Sequence, residues 1–337
     1  MGRVFIAELI LSVFAIAAIL HFAGFWNVVD ELKRADVGWF FFAIFFYLLN
    51  NLALSYRIYL MLSSLGERIQ YVKIVSCHFA GMLASDFTPA RSGYFATAVA
   101  LSFNKGVASE KAVISILGPQ VFDFALKVVV GTVAVAYLLS NKVEGNAASF
   151  LGIGIGVIAI FLMCATILLL LYSKRFLMFL RIWEKLPLVG FMLKKMLNLV
   201  ERMQKNAGVL KKLFWQLLGI LIITWLFKAL EWFSLAMCLG ITVDENPLVF
   251  FALLQPLISL LQFVPAPTLA GMGLSEAGAT AVLMVFGVPA GRAVAFALLA
   301  RGEMMLVNAI GGIFEIIGIL KKGKSISELA FGNAQRS

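Results

Sequence analysis

Arginine and carboxylate side chains recur in this chain at places where apolar surroundings make them expensive. Arg91 lies in the stretch Asp86 to Tyr94, DFTPARSGY, and Asp123 lies in the apolar run that follows. Glu276 closes the stretch Val264 to Glu276, VPAPTLAGMGLSE, and Arg301 lies in the apolar run after that. Each half of the chain therefore supplies one cation and one anion, in opposite order. An ionised group left at the centre of a bilayer costs ~2.5–3.5 kcal/mol on insertion scales, so four of them imply compensation by one another, by water or by a charged substrate. The guanidinium forks of Arg91 and Arg301 match the geometry of a phosphate. Two readings of the set stay open: a pair of salt bridges that holds the halves together, or a polar cavity that takes a charged ligand.

Both stretches place proline, glycine and an ionisable residue inside an apolar run, and the helix must break there. In a bilayer a broken backbone survives only where it is buried in protein or lines a watery cavity. Loops at the membrane surface are the competing reading, but the flanking apolar runs are short for full spans. About 15 residues reach ~22 Å, against a ~30 Å hydrocarbon core. The half-helices that follow, starting near Ser92 and Ser275, would point their N-termini inward, where unpaired N–H groups and the dipole favour an anion.

Supporting roles fall to Asp86, Gly93, Lys127, Pro267, Gly273, Glu303, Lys228 and Glu231. Asp86 opens the first break and is placed to cap a half-helix. Asp123 and Lys127 are four apart, Lys228 and Glu231 three apart, and both spacings allow local neutralising pairs on one helix.

Hydrophobic residues make up 62% of the 337, charged residues 14%, and the mean hydropathy is +0.97, which excludes an ordinary soluble domain. The chain reads as one all-α polytopic integral-membrane domain, residues 1–337, with about six full spans and two broken re-entrant hairpins. Cys77, Cys164 and Cys238 stand singly in apolar segments without metal-ligand spacing, and His21 and His78 are equally isolated. No cofactor, metal or catalytic set is expected, and a membrane-embedded enzyme is the weakest reading.

The net charge of +10 is concentrated. Between Ser173 and Lys212 ten basic residues face two acidic ones, so the positive-inside rule makes residues 173–212 a cytoplasmic loop. Its amphipathic pieces, FLMFL and FMLKKMLNLV, suit an anionic leaflet better than nucleic acid. The expected spans are Val4–Phe25, Trp39–Leu60, Ala112–Leu139, Ser149–Tyr172, Leu213–Leu239 and Arg292–Leu320. Asn27–Gly38 reads as a surface segment, and Asn50, Asn51 and Arg57 mark a protein-facing side of the second span.

With the basic loop and the tail at Lys321, Lys322 and Lys324 both inside, the N-terminus is cytoplasmic too. The acidic Asp244–Glu245 loop is then outside. One hairpin, in Val72–Phe103, enters from the cytoplasmic face, and the other, in Leu248–Gly287, from the opposite face. That is an inverted repeat, with first core 72–139 and second core 248–320, and a site where the two breaks meet. Gly93 precedes Asp123 by thirty residues, as Gly273 precedes Glu303.

The pattern PARSG followed by a helix with Asp123, then PAP and GMGLSE followed by ARGE, resembles the flippase-like membrane region of lysylphosphatidylglycerol synthases and their short stand-alone relatives. The resemblance runs from about Arg57 to Leu320. It implies movement of a phospholipid or other lipid-linked head group between leaflets of the cytoplasmic membrane, with Arg91, Asp123, Glu276 and Arg301 as the polar-site residues. Where many relatives follow the arginine and glycine with glutamate, this chain has Tyr94. No aminoacyl-transferase domain accompanies the membrane region, so no synthase activity is expected.

The leading expectation is thus a lipid translocator whose partners are a lipid head group and, at the basic loop, anionic leaflet lipids. The alternative is a membrane scaffold that presents lipid to a separate glycosyl- or aminoacyl-transferase. A homodimer is compatible with either.

Overall fold

Among the described residues of the computed structural model, five stretches are long and apolar enough to cross a bilayer, and each forms a helix. The structure describes residues 2–141, 169, 173–182, 190–206, 208–243, 246–262 and 268–321. Apart from Leu169, the expected span Ser149–Tyr172 lies outside the described residues, as do Asp244, Glu245 and Pro267. The described residues are almost entirely helical, without a strand.

The elements are α1 (Gly2–Ala23), α2 (Phe25–Lys33), α3 (Val37–Ser64), α4 (Tyr71–Asp86), a 3-10 segment (Pro89–Phe95), α5 (Ala96–Lys105) and α6 (Ser109–Asn141). Then come α7 (Lys174–Arg181), α8 (Gly190–Asn206), α9 (Gly208–Lys212) and α10 (Phe214–Cys238). The chain continues through α11 (Pro247–Leu261), a short 3-10 turn (Leu269–Gly271), α12 (Leu274–Val285) and α13 (Ala290–Lys321).

Polar residues start several of these helices. Asp36 accepts from the backbone N–H of Gly38 at 2.8 Å and Trp39 at 3.3 Å, which satisfies donors that the first turn of α3 leaves open. Asn246 does the same for Leu248 and Val249, with Pro247 in the first turn of α11, where its missing N–H costs nothing.

Beside its apolar core clusters, the bundle exposes large apolar side chains and buries charged ones. Phe14, Phe41, Phe42, Ile310 and Phe314 are exposed, whereas Asn50, Asn51, Arg57, Asp86, Glu231, Glu276, Arg301, Glu303 and Asn308 are buried. Apolar residues outside and polar residues inside suit a lipid surround, where helix association relies on close packing more than on burial of apolar area. At Gly312 of α13 a Cβ would stand 2.7 Å from the carbonyl carbon of Phe79, so glycine there lets α13 lie against the backbone of α4.

Packing follows a pattern of exchange between halves. α3 lies along α10, α4 along α13, and α6 along α11. Thr88 and Thr268, 180 positions apart, share an extended backbone with φ −131° and lead into the two breaks. At the same offset Arg91 (φ 54°) and Gly271 (φ 67°) turn the chain through the left-handed region, as Ala270 (φ 48°) also does. The breaks meet: the Ala270 N–H donates to the Thr88 carbonyl at 3.1 Å.

The two ends of the bundle are also distinct. At one, Lys111 pairs with Glu67 at 2.8 Å, close to where α4 begins and α5 ends. At the other, Arg292 pairs with Glu31 at 3.0 Å and the Asp36 N–H donates to the Cys238 carbonyl at 2.8 Å, close to where α11 begins and α12 ends. In sequence, Glu67 and Lys111 flank the first helix–break–helix segment, and Cys238 and Arg292 flank the second. With 16 and 10 residues in the first and 15 and 12 in the second, every arm is shorter than a full span.

Candidate functional site

Between the two breaks and the long helices lies a cavity of about 190 Å³. Arg91, Asp123, Glu276 and Arg301 all line it, together with Lys127, Lys228 and Glu231. Four cations against three anions leave the lining one positive charge in excess. Asn50, Thr224, Gln255, Ser259 and Gln262 add neutral polar groups, and Tyr47, Trp225, Trp232 and Phe296 supply aromatic walls.

The charges are held in separate pairs, and not all as the sequence suggested. Asp123 is gripped by Arg57, whose Nη1 lies 2.7 and 2.8 Å from its two oxygens. Tyr94 also lies within electrostatic reach of Arg57. The Asp123 side chain remains 14% exposed, towards the cavity, while Arg57 stands behind it at 3%. Arg57, expected only to mark a protein-facing side of α3, is thus the first-half partner of Asp123. The helical spacing that offered Lys127 as that partner is overridden by a tertiary contact. Lys127 Nζ instead stands 5.8 Å from the centre of the Phe124 ring.

Arg91 turns to its own break. Its Nη2 reaches Asp86 at 3.2 Å and Met304 Sδ at 3.5 Å, and its Nη1 donates to Gln262 Oε1 at 2.6 Å. Gln262 ends the first arm of the other hairpin, so this arginine ties break to break. Asp86 is not a cap. It is the last residue of α4, fully buried, and accepts from Asn308 Nδ2 at 2.7 Å as well as from Arg91. Asn308 in turn accepts from the Tyr47 hydroxyl at 2.8 Å.

In the second half Arg301 Nε donates to Glu276 Oε1 at 2.6 Å and Nη2 donates to Ser275 Oγ at 2.7 Å. Glu276 Oε2 accepts the Gly273 N–H at 2.7 Å, closing the first turn of α12 from within. Gly273 itself has φ 89°, and a Cβ there would strike that of Ala15 on α1, so only glycine fits. Lys228 holds Glu231 at 2.6 and 2.7 Å, the local pair that its spacing allowed, and its Nζ stands 4.8 Å above the Tyr47 ring.

Of the two expected half-helix starts, the second is met, with α12 beginning at Leu274 beside Ser275, and the first is displaced. The first break continues as a 3-10 segment from Pro89, and α5 begins only at Ala96, not near Ser92. Thr88 Oγ1 accepts the Gly93 N–H at 2.6 Å, and Glu276 occupies the start of α12. One N–H at each break is thus served by the protein's own side chain, and the cationic groups that line the cavity are Arg91, Lys127, Lys228 and Arg301.

Three charged groups are left incomplete among the described residues, the first being Arg57, whose Nε is buried without a hydrogen-bond partner. Arg301 Nη1 is buried without a hydrogen-bond partner among the described residues, a spare donor at the cavity. Glu303, 1% exposed and outside the cavity lining, has no partner for either oxygen among the described residues. Gly93 and Gly273 shape the breaks and do not line the cavity.

Sequence reasoning missed Arg57, Tyr47, Gln262, Ser275 and Asn308 as participants. A polar residue in an apolar run was the available signal for Arg57, Gln262 and Asn308. Tyr47 and Ser275 gave none, since both types occur at membrane interfaces and helix starts.

An arrangement of paired, partly exposed cations, spare donors and aromatic walls can hold a small anionic group whose attached apolar part stays outside. Comparison with known proteins gives the family. Residues 5–312 match the family described as the lysylphosphatidylglycerol synthase TM region. A UPF0104 membrane protein of Pyrococcus horikoshii is 22% identical over 322 residues, covering 90% of this chain and 94% of that protein.

Proposed function

The chain belongs to the family of lysylphosphatidylglycerol synthase TM regions, and from that premise we propose that it is a lipid translocator of the cytoplasmic membrane. A phospholipid or lipid-linked anionic head group passes through the cavity while its tails stay in the bilayer. The protein acts as a carrier, not as an enzyme. The observation that carries this reading is the meeting of two broken hairpins at a cavity whose lining holds Arg91, Lys127, Lys228 and Arg301.

In this reading the hairpins are re-entrant and the two halves form an inverted repeat, an architecture that builds substrate sites near the midplane. The end bearing Glu67 and Lys111 faces the cytoplasm, as do both termini. The basic helices α7 and α8, with Met178, Phe179 and Ile182 exposed, lie against the anionic leaflet.

Photo-crosslinking tests the site. A benzoylphenylalanine replacing Thr224, which lines the cavity, captures a phospholipid bearing a radiolabelled head group, and excess unlabelled lipid competes. The same label replacing Ile222, on the exposed side of α10, gives only uncompeted background. Equal, uncompetable capture at both positions refutes the cavity as the head-group site.

A further inference from the structure

Glu303 is the one ionisable group of the buried cluster that the translocation reading leaves without work. It lies on α13 one turn from Leu299, Ala300 and Val307, in a region where α13 packs on α4, α10 and α12. Both carboxyl oxygens are buried and without a hydrogen-bond partner among the described residues. An ionised carboxylate so placed costs several kcal/mol, whereas a proton on it removes the charge.

The groups around it are specific. From α10, Lys228 and Glu231 act on it through space, with no hydrogen bond or salt bridge to it among the described residues, and Cys238 also feels its charge. Tyr47 of α3 stands under the Lys228 ammonium. From α4 and α12 the acidic groups are Asp86 and Glu276, each already held by an arginine. Lys228 is therefore the cation that two carboxylates, Glu231 and Glu303, can share, and it is also a cavity-lining group with an 18% exposed side chain.

Charge conservation in a low dielectric then couples the two ligands. With Glu303 ionised, the cluster of two carboxylates and one ammonium carries −1. Adding a singly anionic head group beside Lys228 would make it −2, which a poorly solvated site resists. Taking up one proton on Glu303 as the head group arrives keeps the total at −1.

Resting on the translocation reading above, we propose that Glu303 is a proton site coupled through Lys228 to the cavity, so that each singly anionic head group moves together with one proton. The proton comes from water and sits on a Glu303 oxygen while the head group is bound. It returns to water on the other side when the head group leaves, and the Glu303 carboxylate then competes with Glu231 for Lys228. No bond other than O–H forms or breaks. A proton is favoured over a metal cation because neutralising a carboxyl in this way needs no ring of further oxygen ligands.

The test uses the full chain in liposomes that contain fluorescent phosphatidylglycerol and start with equal pH on both sides. Making the lumen one pH unit more alkaline should drive the labelled lipid towards the inner leaflet, up to about tenfold for one proton per lipid. Glu303→Gln should still equilibrate the lipid between leaflets but show no response to the gradient, and Glu303→Asp, which restores a carboxyl, should recover the response. Infrared difference spectra between acid and alkaline buffer should show a buried carboxylic-acid carbonyl band in the native protein that Glu303→Gln lacks.

Lipid movement by the native chain that ignores the gradient, or a gradient response that survives Glu303→Gln, overturns the coupling and leaves the translocation reading intact. If the native chain moves no lipid, that reading fails. The proton site is then judged by the infrared band alone, whose presence only with Glu303 supports it and whose absence overturns it.

Discussion

Replacing Arg57 with methionine keeps an apolar stem in place and removes the guanidinium that holds Asp123 at 2.7 and 2.8 Å. Breaking a buried ion pair from one side costs ~3–5 kcal/mol because a charge is left uncompensated. The Asp123 side chain keeps 14% exposure towards the cavity, where water can partly solvate it, so the loss should fall near the lower bound, ~3 kcal/mol. The double variant Arg57→Met/Asp123→Asn leaves no orphan charge and should regain at least half, a coupling of ~1.5–3 kcal/mol, as befits groups in direct contact. Arg91 spends its bonds on Asp86 and Gln262, so the matching cycle of Arg91→Met with Asp123→Asn should show a coupling below ~0.5 kcal/mol. Reversible unfolding in mixed micelles of rising sodium dodecyl sulfate content, followed by circular dichroism, measures all of these. A loss under ~1 kcal/mol for Arg57→Met, or the larger coupling appearing between Arg91 and Asp123, would refute this assignment of partners.

Further outcomes follow from single contacts. Gly312→Val should cost ~1–3 kcal/mol in the same assay through the clash of its Cβ with the Phe79 backbone, whereas Gly302→Ala, where nothing lies close, should be near neutral. Ala270, buried at φ 48°, should accept glycine with a change under ~1 kcal/mol, but Ala270→Val should cost more than ~2 kcal/mol, since a β-branched residue resists the left-handed region. Asn308→Leu removes the link between Tyr47 and Asp86 and leaves a buried hydroxyl and a carboxylate oxygen unserved, a loss of ~2–4 kcal/mol by thermal unfolding in detergent. A cysteine in place of Lys111 should react with a membrane-impermeant maleimide only in inside-out vesicles, and one in place of Glu31 only in right-side-out cells. The reverse pattern would invert the proposed topology.

Most of the architecture was legible because apolar length and proline–glycine breaks are local signals. DFTPARSGY and VPAPTLAGMGLSE marked the helix breaks, and the half-length apolar pieces around them are the short helices α4, α5, α11 and α12. What decided the partners of the charges was not local. Arg57 sits 66 positions from Asp123, and nothing in the spacing of either favours the other over Lys127, four residues away. Arg91 was open to two readings, half of a salt bridge or a fork for a phosphate, and the left-handed turn at that residue sends it back to Asp86 and across to Gln262. The helix N-termini misled for a related reason. Unpaired N–H groups attract an anion only when no nearer acceptor exists, and here Thr88 and Glu276 are nearer. The four residues singled out for the site do line one cavity, beside the contact between the Thr88 and Ala270 backbones where the two breaks meet.

The central claim is that this cavity conducts a lipid head group. Its most direct test is the rate at which fluorescent phosphatidylglycerol in the inner leaflet of proteoliposomes becomes accessible to a membrane-impermeant quencher added outside. The native chain should expose the inner pool at a rate well above protein-free vesicles, and Arg301→Gln, folded by circular dichroism, should lose most of that excess. Native protein no faster than empty vesicles, or a folded Arg301→Gln as fast as native, would contradict the account.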